Sequence, residues 1–187
     1  LLKKNKYILA SKSPRRIELM EVLNVDFEVI PSHVDEIIKE GLTCEEVVID
    51  IAFQKACDIS QKHPNKYVLG FDTLVILDRN PLGKPVDKDD AFKMLKSLSG
   101  RSHTVFTGCA IVKGDYKDSF YSKADVTFYD MSDSEIWEYI ETKEPMDKAG
   151  AYGIQAYGAK FIKEVHGDYF TIVGMPIAKL YRKLKEL

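Results

Sequence analysis

Residues Tyr67–Leu77 are apolar over eleven positions apart from the polar pair Asp72-Thr73. A strand with apolar side chains on both faces must be covered on both faces, which requires helices packed against a sheet. That single segment therefore points to an α/β architecture. It also isolates Asp72, because a charge inside an apolar strand is costly unless it is paired or bound to a metal.

The rest of the chain alternates between the two hydrophobic periods. Tyr7–Ala10 predicts a strand and Pro14–Leu23 a helix, with Ser13 before Pro14 as its capping hydroxyl. Phe27–Ile30 predicts a second strand. Thr43–Lys62 predicts a long helix, capped by Thr43, with Val47, Ile51, Ala52, Ala56 and Ile59 as its apolar stripe. Arg79–Gly83 predicts a turn, and Lys88–Leu98 a helix. Ser102–Lys113 and Ser119–Tyr129 predict a hairpin turning at Gly114-Asp115. Ser132–Thr142 opens on the capping box Ser132…Glu135. Pro145–Gly158 is Gly-rich and irregular, Ala159–Val165 predicts a strand, and Pro176–Leu187 a closing helix. Parallel-type units together with a hairpin imply a mixed sheet, and 187 residues suit a single domain spanning 1–187.

The formal net charge is −2, so no basic field is available to grip a nucleic acid polymer. No apolar run reaches the length of a membrane span. The start Leu1–Lys4 leads into no apolar core with a cleavage site, so no signal peptide is expected. Cys44, Cys57 and Cys109 lie far apart and show no metal-ligand spacing; the cytoplasm is the simplest compartment. His33, His63, His103 and His166 also lack ligand spacing and read as structural or surface residues. No G-x-x-x-x-G-K-[ST] loop is present, which argues against a kinase or motor NTPase.

Several positions carry candidate chemistry. A helix N-terminus at Pro14 offers backbone N–H groups to an anion, and Arg15 and Arg16 add planar donors suited to phosphate. Equally, the segment could be a capped helix with two surface arginines. Asp72 reads as a catalytic base or metal ligand, or as a structural acid paired with a buried Lys or Arg. Thr73 beside it adds a hydroxyl. Asp35-Glu36 has the oxygen donors Mg²⁺ prefers, although paired acids are also ordinary loop surface. Lys55 lies beside the apolar face of the long helix, placed to reach inward or to snorkel. Lys84-Pro85-Val86-Asp87 joins an ammonium and a carboxylate on a stiffened loop; taken alone it reads as solvated. Around Tyr152, small residues permit close backbone approach, and Gln155 offers both a donor and an acceptor. Taken alone, that stretch reads as a packing loop.

Taken in order, Ser11–Arg16, Val34–Glu36, Gly70–Thr73, Leu82–Pro85, Leu98–His103 and Glu144–Gln155 resemble the Maf family of nucleoside triphosphate pyrophosphatases over nearly the whole chain. The resemblance implies an inosine-triphosphatase-like α/β fold: an elongated mixed β-sheet flanked by helices, with two lobes and a nucleotide cleft. It implies metal-dependent hydrolysis of a nucleoside triphosphate to the monophosphate and pyrophosphate, with Mg²⁺ or Mn²⁺ as cofactor. Asp72 matches the proton acceptor. Arg15, Thr73 and Gln155 match positions linked to substrate choice, in the combination of the dTTP/UTP branch rather than the 7-methyl-GTP branch. Ser13, Arg16, Glu36, Lys55, Lys84 and Asp87 fall on other polar positions of the family cleft. Phe71 departs from the small residue usual before the acid. On this basis Glu36 and Asp72 are the expected metal ligands. Arg15, Lys55 and Lys84 are expected to hold phosphate, and Gln155 to meet the imide edge of thymine or uracil. The expected role is housecleaning of dTTP, UTP and modified pyrimidine nucleotides. Nucleotide-binding regulation of septum formation is the alternative of a different class. A homodimer is compatible with the resemblance.

Overall fold

The structure is a computed structural model that describes residues 4–187; the start of the Leu1–Lys4 segment lies outside the described residues. Seven strands form one mixed sheet in the order β2-β1-β3-β5-β6-β7, with β4 paired to β3. The strands are β1 (Lys6–Leu9), β2 (Asp26–Val29), β3 (Tyr67–Leu77), β4 (Asn80–Leu82), β5 (Ser102–Lys113), β6 (Tyr116–Phe128) and β7 (Ile162–Gly167). The helices are α1 (Pro14–Val22), α2 (Cys44–Ser60), α3 (Lys88–Leu98), α4 (Asp133–Glu141), α5 (Tyr169–Val173) and α6 (Ile177–Leu184). The chain divides into two compact units.

The first unit comprises Leu1–Thr73, Thr107–Ser122 and Gly174–Leu187. β1 pairs in parallel with both β2 and β3, in the registers Leu9↔Val29 and Leu9↔Leu69. Helix α2 lies against β3 and β5 at very short range. A Cβ added at Gly70 would stand 2.2 Å from the carbonyl oxygen of Ala52, and one at Gly108 would stand 2.3 Å from that of Val48. Glycine is required at both positions by this approach. Ala52 and Ala56 keep the facing side of α2 small, and with Ile8, Val68, Ala110 and Val112 they belong to one buried core cluster. The buried stripe of α2 includes Val48 in place of the expected Val47. Helix α2 opens on a full capping box between Thr43 and Glu46. α1 does not use the expected hydroxyl cap. Ser13 makes no side-chain cap bond; its carbonyl accepts from the N–H groups of both Arg16 and Ile17.

The second unit comprises Leu74–Phe106 and Lys123–Val173. The β3–β4 turn places Asp78 and Arg79 at φ +49° and +68°, both in the left-handed region. Part of the expected Arg79–Gly83 turn is therefore strand β4, which tolerates Pro81 because it is short and pairs with β3 alone. Helices α3 and α4 meet through Phe92 and Trp137, whose rings stack at 4.9 Å. The stretch after α4 winds through three 3₁₀ turns, Glu144–Asp147, Ala149–Ala151 and Tyr157–Phe161. β7 begins at Ile162, three residues later than expected, because the last of these turns occupies its predicted start.

Candidate active site

β1 ends at Leu9 and its parallel partner β3 runs on, so Asp72 lies just past the carboxyl end of β1. Ligand sites of open α/β sheets favour this position. Asp72 is partly buried, and Lys55 from α2 reaches it with Nζ 2.8 Å from Oδ1. The same ammonium stands 2.9 Å from Oε1 of Glu36. Lys55 therefore bridges the two carboxylates, taking the inward direction of the two open to it. Burial pushes the Asp72 carboxyl above its ordinary range; the charge and hydrogen bond of Lys55, and the charge of Arg16, oppose that rise. The acid does have a lysine partner, as the structural reading required. Its side chain nevertheless keeps 18% exposure, so it is not sealed in the interior.

Glu36 belongs to an irregular segment between β2 and α2, and three polar contacts fasten that segment along one face of the helix. Ser32 Oγ donates to Asp58 Oδ2 at 2.8 Å. The Gln54 amide clamps the backbone of Ile37, accepting its N–H at 2.9 Å and donating to its carbonyl at 2.8 Å. Lys39 pairs with Asp50. Positions 50, 54 and 58 follow the four-residue spacing of a helix face. The clamp sets Glu36 beside Lys55, which is the residue after Gln54. Sequence reasoning passed over Gln54, because a glutamine in a helix gives no sign that its partner is a distant backbone.

Arg16 turns its donors onto the protein. Nε donates to the Gly174 carbonyl at 2.9 Å, and Nη1 to Ser11 Oγ at 3.2 Å and to the Phe71 carbonyl at 3.4 Å. Nη2 donates to Thr73 Oγ1 at 3.1 Å. Thr73 Oγ1 in turn lies 2.9 Å from Thr107 Oγ1. Phe71 is fully buried, and its ring centroid lies 5.6 Å from the guanidinium carbon. Burial lowers the Arg16 pKa to about 10, with Asp72 opposing. Arg16 thus grips the residues on either side of Asp72. Arg15 precedes it in the first turn of α1 and is half-buried. Ser13, Arg15, Arg16, Glu36, Lys55, Asp72 and Thr73 all belong to the first unit.

The remaining expected residues belong to the second unit. Lys84 is exposed. Asp87 is the N-cap of α3, where its Oδ1 accepts the Asp90 N–H at 2.7 Å. Gln155 is exposed between two of the 3₁₀ turns. His103, read as structural or surface, is structural: it is buried with Nε2 2.7 Å from the Tyr152 hydroxyl.

The fold is an inosine-triphosphatase-like α/β fold. Its sheet and helices align with the Ham1 proteins of Staphylococcus aureus (TM-score 0.54, 15% identity, 97% of this chain and 99% of that one) and Coxiella burnetii (0.56, 17%, 98% and 100%). At that identity the likeness concerns architecture alone. The family is fixed by sequence: residues 6–187 match the model described as Maf-like protein, and the chain belongs to the Maf family. Relatives include the dTTP/UTP pyrophosphatase of Bacillus cytotoxicus, 48% identical over 97% of this chain and 95% of its own. That of Bacillus velezensis is 48% identical over 96% and 95%, and that of a Geobacillus strain 46% identical over 96% and 97%.

Proposed function

We propose that this protein hydrolyses dTTP and UTP to the monophosphate and pyrophosphate. The observation that carries the reading is the Asp72 carboxyl, raised by burial, with Lys55 favouring its charged form, and left partly open to solvent in a family whose relatives bear that activity in their names. In this mechanism Asp72 accepts the proton of a water whose oxygen bonds to the α-phosphorus. The bond from that phosphorus to the bridging oxygen breaks, and pyrophosphate departs. Lys55 favours the charged form of the base, and Arg16 fixes its backbone. Arg15, Lys84, Ser13 and the N–H groups at the start of α1 are assigned to phosphate, Thr73 to substrate choice and Asp87 to ordering the Lys84 loop. Gln155 is assigned to the O–NH–O edge of thymine or uracil, which an amide can meet and which cytosine lacks.

The donor chemistry suits a divalent cation. Glu36 and Asp72 already flank a positive charge, the Lys55 ammonium, with hard carboxylate oxygens. Among the described residues no group of three His, Cys, Asp or Glu forms a cage, and Mg²⁺ typically takes one or two carboxylates together with substrate phosphates. Glu36 and Asp72 are the residues that would hold it, and the ion would neutralise charge on the phosphate oxygens. The three cysteines are unpaired, and no described helix is long and apolar enough to cross a membrane. We assign the protein to the cytoplasm, a reducing compartment that suits unpaired thiols, with small nucleotides as its partners.

A nucleotide panel tests the reading, with monophosphate and pyrophosphate both quantified. Release of both from dTTP and UTP, and at least about a thousandfold loss in Asp72→Asn, is the expected result. Full turnover by a folded Asp72→Asn protein would remove Asp72 from the role of base.

A further inference from the structure

Gln155 lies at the exposed turn of a short loop, residues 153–158, whose two ends are fastened by one pair of side chains. The hydroxyl of Tyr139, a fully buried residue in the last turn of α4, accepts the Gly153 N–H at 3.0 Å. The same hydroxyl donates to Glu144 Oε1 at 2.8 Å. Glu144 then uses both oxygens on the far end of the loop: Oε2 accepts the Tyr157 N–H at 2.9 Å, and Oε1 accepts the Gly158 N–H at 3.1 Å. The ends are pinched so tightly that a Cβ at Gly158 would stand 2.3 Å from the Gly153 carbonyl oxygen and 2.7 Å from the Tyr139 hydroxyl. Lys148 closes the remaining side. Its Nζ donates to the Glu144 carbonyl at 2.9 Å, and its Cε lies where a Gly153 side chain would go.

We infer that Tyr139 and Glu144 are positioning residues for base selection, holding the loop so that the Gln155 amide is presented in one orientation. The inference rests on the reading of Gln155 as the group that meets the base. Three loop N–H groups converge on one hydroxyl and one carboxylate, and every bond to Glu144 is charge-assisted. Glu144→Gln places an amide N–H₂ against at least one of these donors, so one bond becomes a repulsion. Tyr139→Phe removes the hydroxyl that joins the two ends of the loop while keeping the ring packed against Phe161. Such a device lowers the conformational entropy that substrate binding must otherwise remove. Its loss should therefore appear in KM and in base discrimination before it appears in the chemical step.

The test compares Tyr139→Phe, Glu144→Gln and Gln155→Ala with wild type, using UTP and CTP as substrates and native-state amide exchange as a second readout. Glu141→Gln removes an equal charge from the end of α4, where Glu141 pairs with Lys88 at the surface, and serves as the control. The expected result is a KM for UTP raised about tenfold in both positioning variants, with kcat within about twofold and the UTP-over-CTP preference lowered by about the same tenfold factor. The amides of Gly153, Tyr157 and Gly158 should exchange faster in the same proteins. If Gln155→Ala loses the preference while the two positioning variants free those amides and keep it, the inference is overturned and the role of Gln155 stands. If Gln155→Ala itself keeps the preference, the assignment of Gln155 fails, and the inference fails with it.

Discussion

A guanidinium that makes four hydrogen bonds to its own protein is poorly placed to spend them on a phosphate. Arg16 bonds to Gly174, Ser11, Phe71 and Thr73, and two of these flank Asp72 directly in sequence. Arg16→Lys keeps the charge but replaces a planar fork with a point donor that cannot span these acceptors. With the backbone around Asp72 no longer fixed, kcat for UTP should fall about a hundredfold while KM moves by less than about threefold. Steady-state kinetics decide the matter, since a change confined to KM would mean that the guanidinium binds substrate itself. Residues of this kind are the least legible in a sequence. Asp72 stands out because a charge interrupts an apolar strand, and Ser13, Arg15 and Arg16 because they surround Pro14 at a helix start. Gln54, Tyr139 and Glu144 act on backbone groups elsewhere in the chain, and no local pattern of hydropathy or charge records that.

The elements were more legible than their contacts. β3, β5 and α3 fall where the periodicity put them, because long apolar runs and strong caps leave few alternatives. Helix α5 was missed, since five residues between Asp168 and Gly174 are too few to show a period. The short β4 was hidden by Pro81, which normally argues against a strand. What periodicity could not convey is how near α2 comes to the sheet, and the position of Lys55 depends on that. Gly70→Ala would force a Cβ to 2.2 Å from the Ala52 carbonyl oxygen, which is backbone and cannot swing aside. Moving α2 outward should cost about 1–3 kcal/mol in urea unfolding and draw Lys55 away from Asp72, so activity should fall along with stability. An unchanged unfolding midpoint would contradict the packing. At the β3–β4 turn the opposite substitution is favourable. Arg79 is held at φ +68° next to Asp78 at +49°, the backbone signs of a tight hairpin turn that favours Asp-Gly. Arg79→Gly should raise stability by about 0.5–1 kcal/mol, read as a higher midpoint with the m-value unchanged.

Across the whole molecule, six weak motifs in the right order carried the family, and the match over residues 6–187 agrees with that ordering. Stability against pH is also a property of the whole chain, and two groups, one partly and one fully buried, push it in opposite directions. In metal-free solution Asp72 has a raised carboxyl, so the native state holds its proton more tightly than the unfolded chain does. Its contribution therefore declines as pH rises above the ordinary carboxylate range. His103 acts the other way. It is 3% exposed, its Nε2 meets the Tyr152 hydroxyl, and its Nδ1 has no hydrogen-bond partner among the described residues. Protonation would leave a buried N–H donor unmatched, and burial lowers the pKa from 6.5 to about 4, with Asp125 opposing. As pH falls below 6.5 the unfolded chain takes up this proton while the native protein does not. Stability is thus fully present above 6.5 and is lost on the way down to about 4, for a total of about 3 kcal/mol. His103→Gln keeps a polar group near the Tyr152 hydroxyl but cannot titrate. Urea unfolding at pH 7 and pH 5 should show the wild type losing about 2 kcal/mol more than this variant between the two conditions. Comparing the two proteins cancels the slope contributed by Asp72 and every other carboxylate, so equal losses would mean that His103 is free to accept a proton in the folded state.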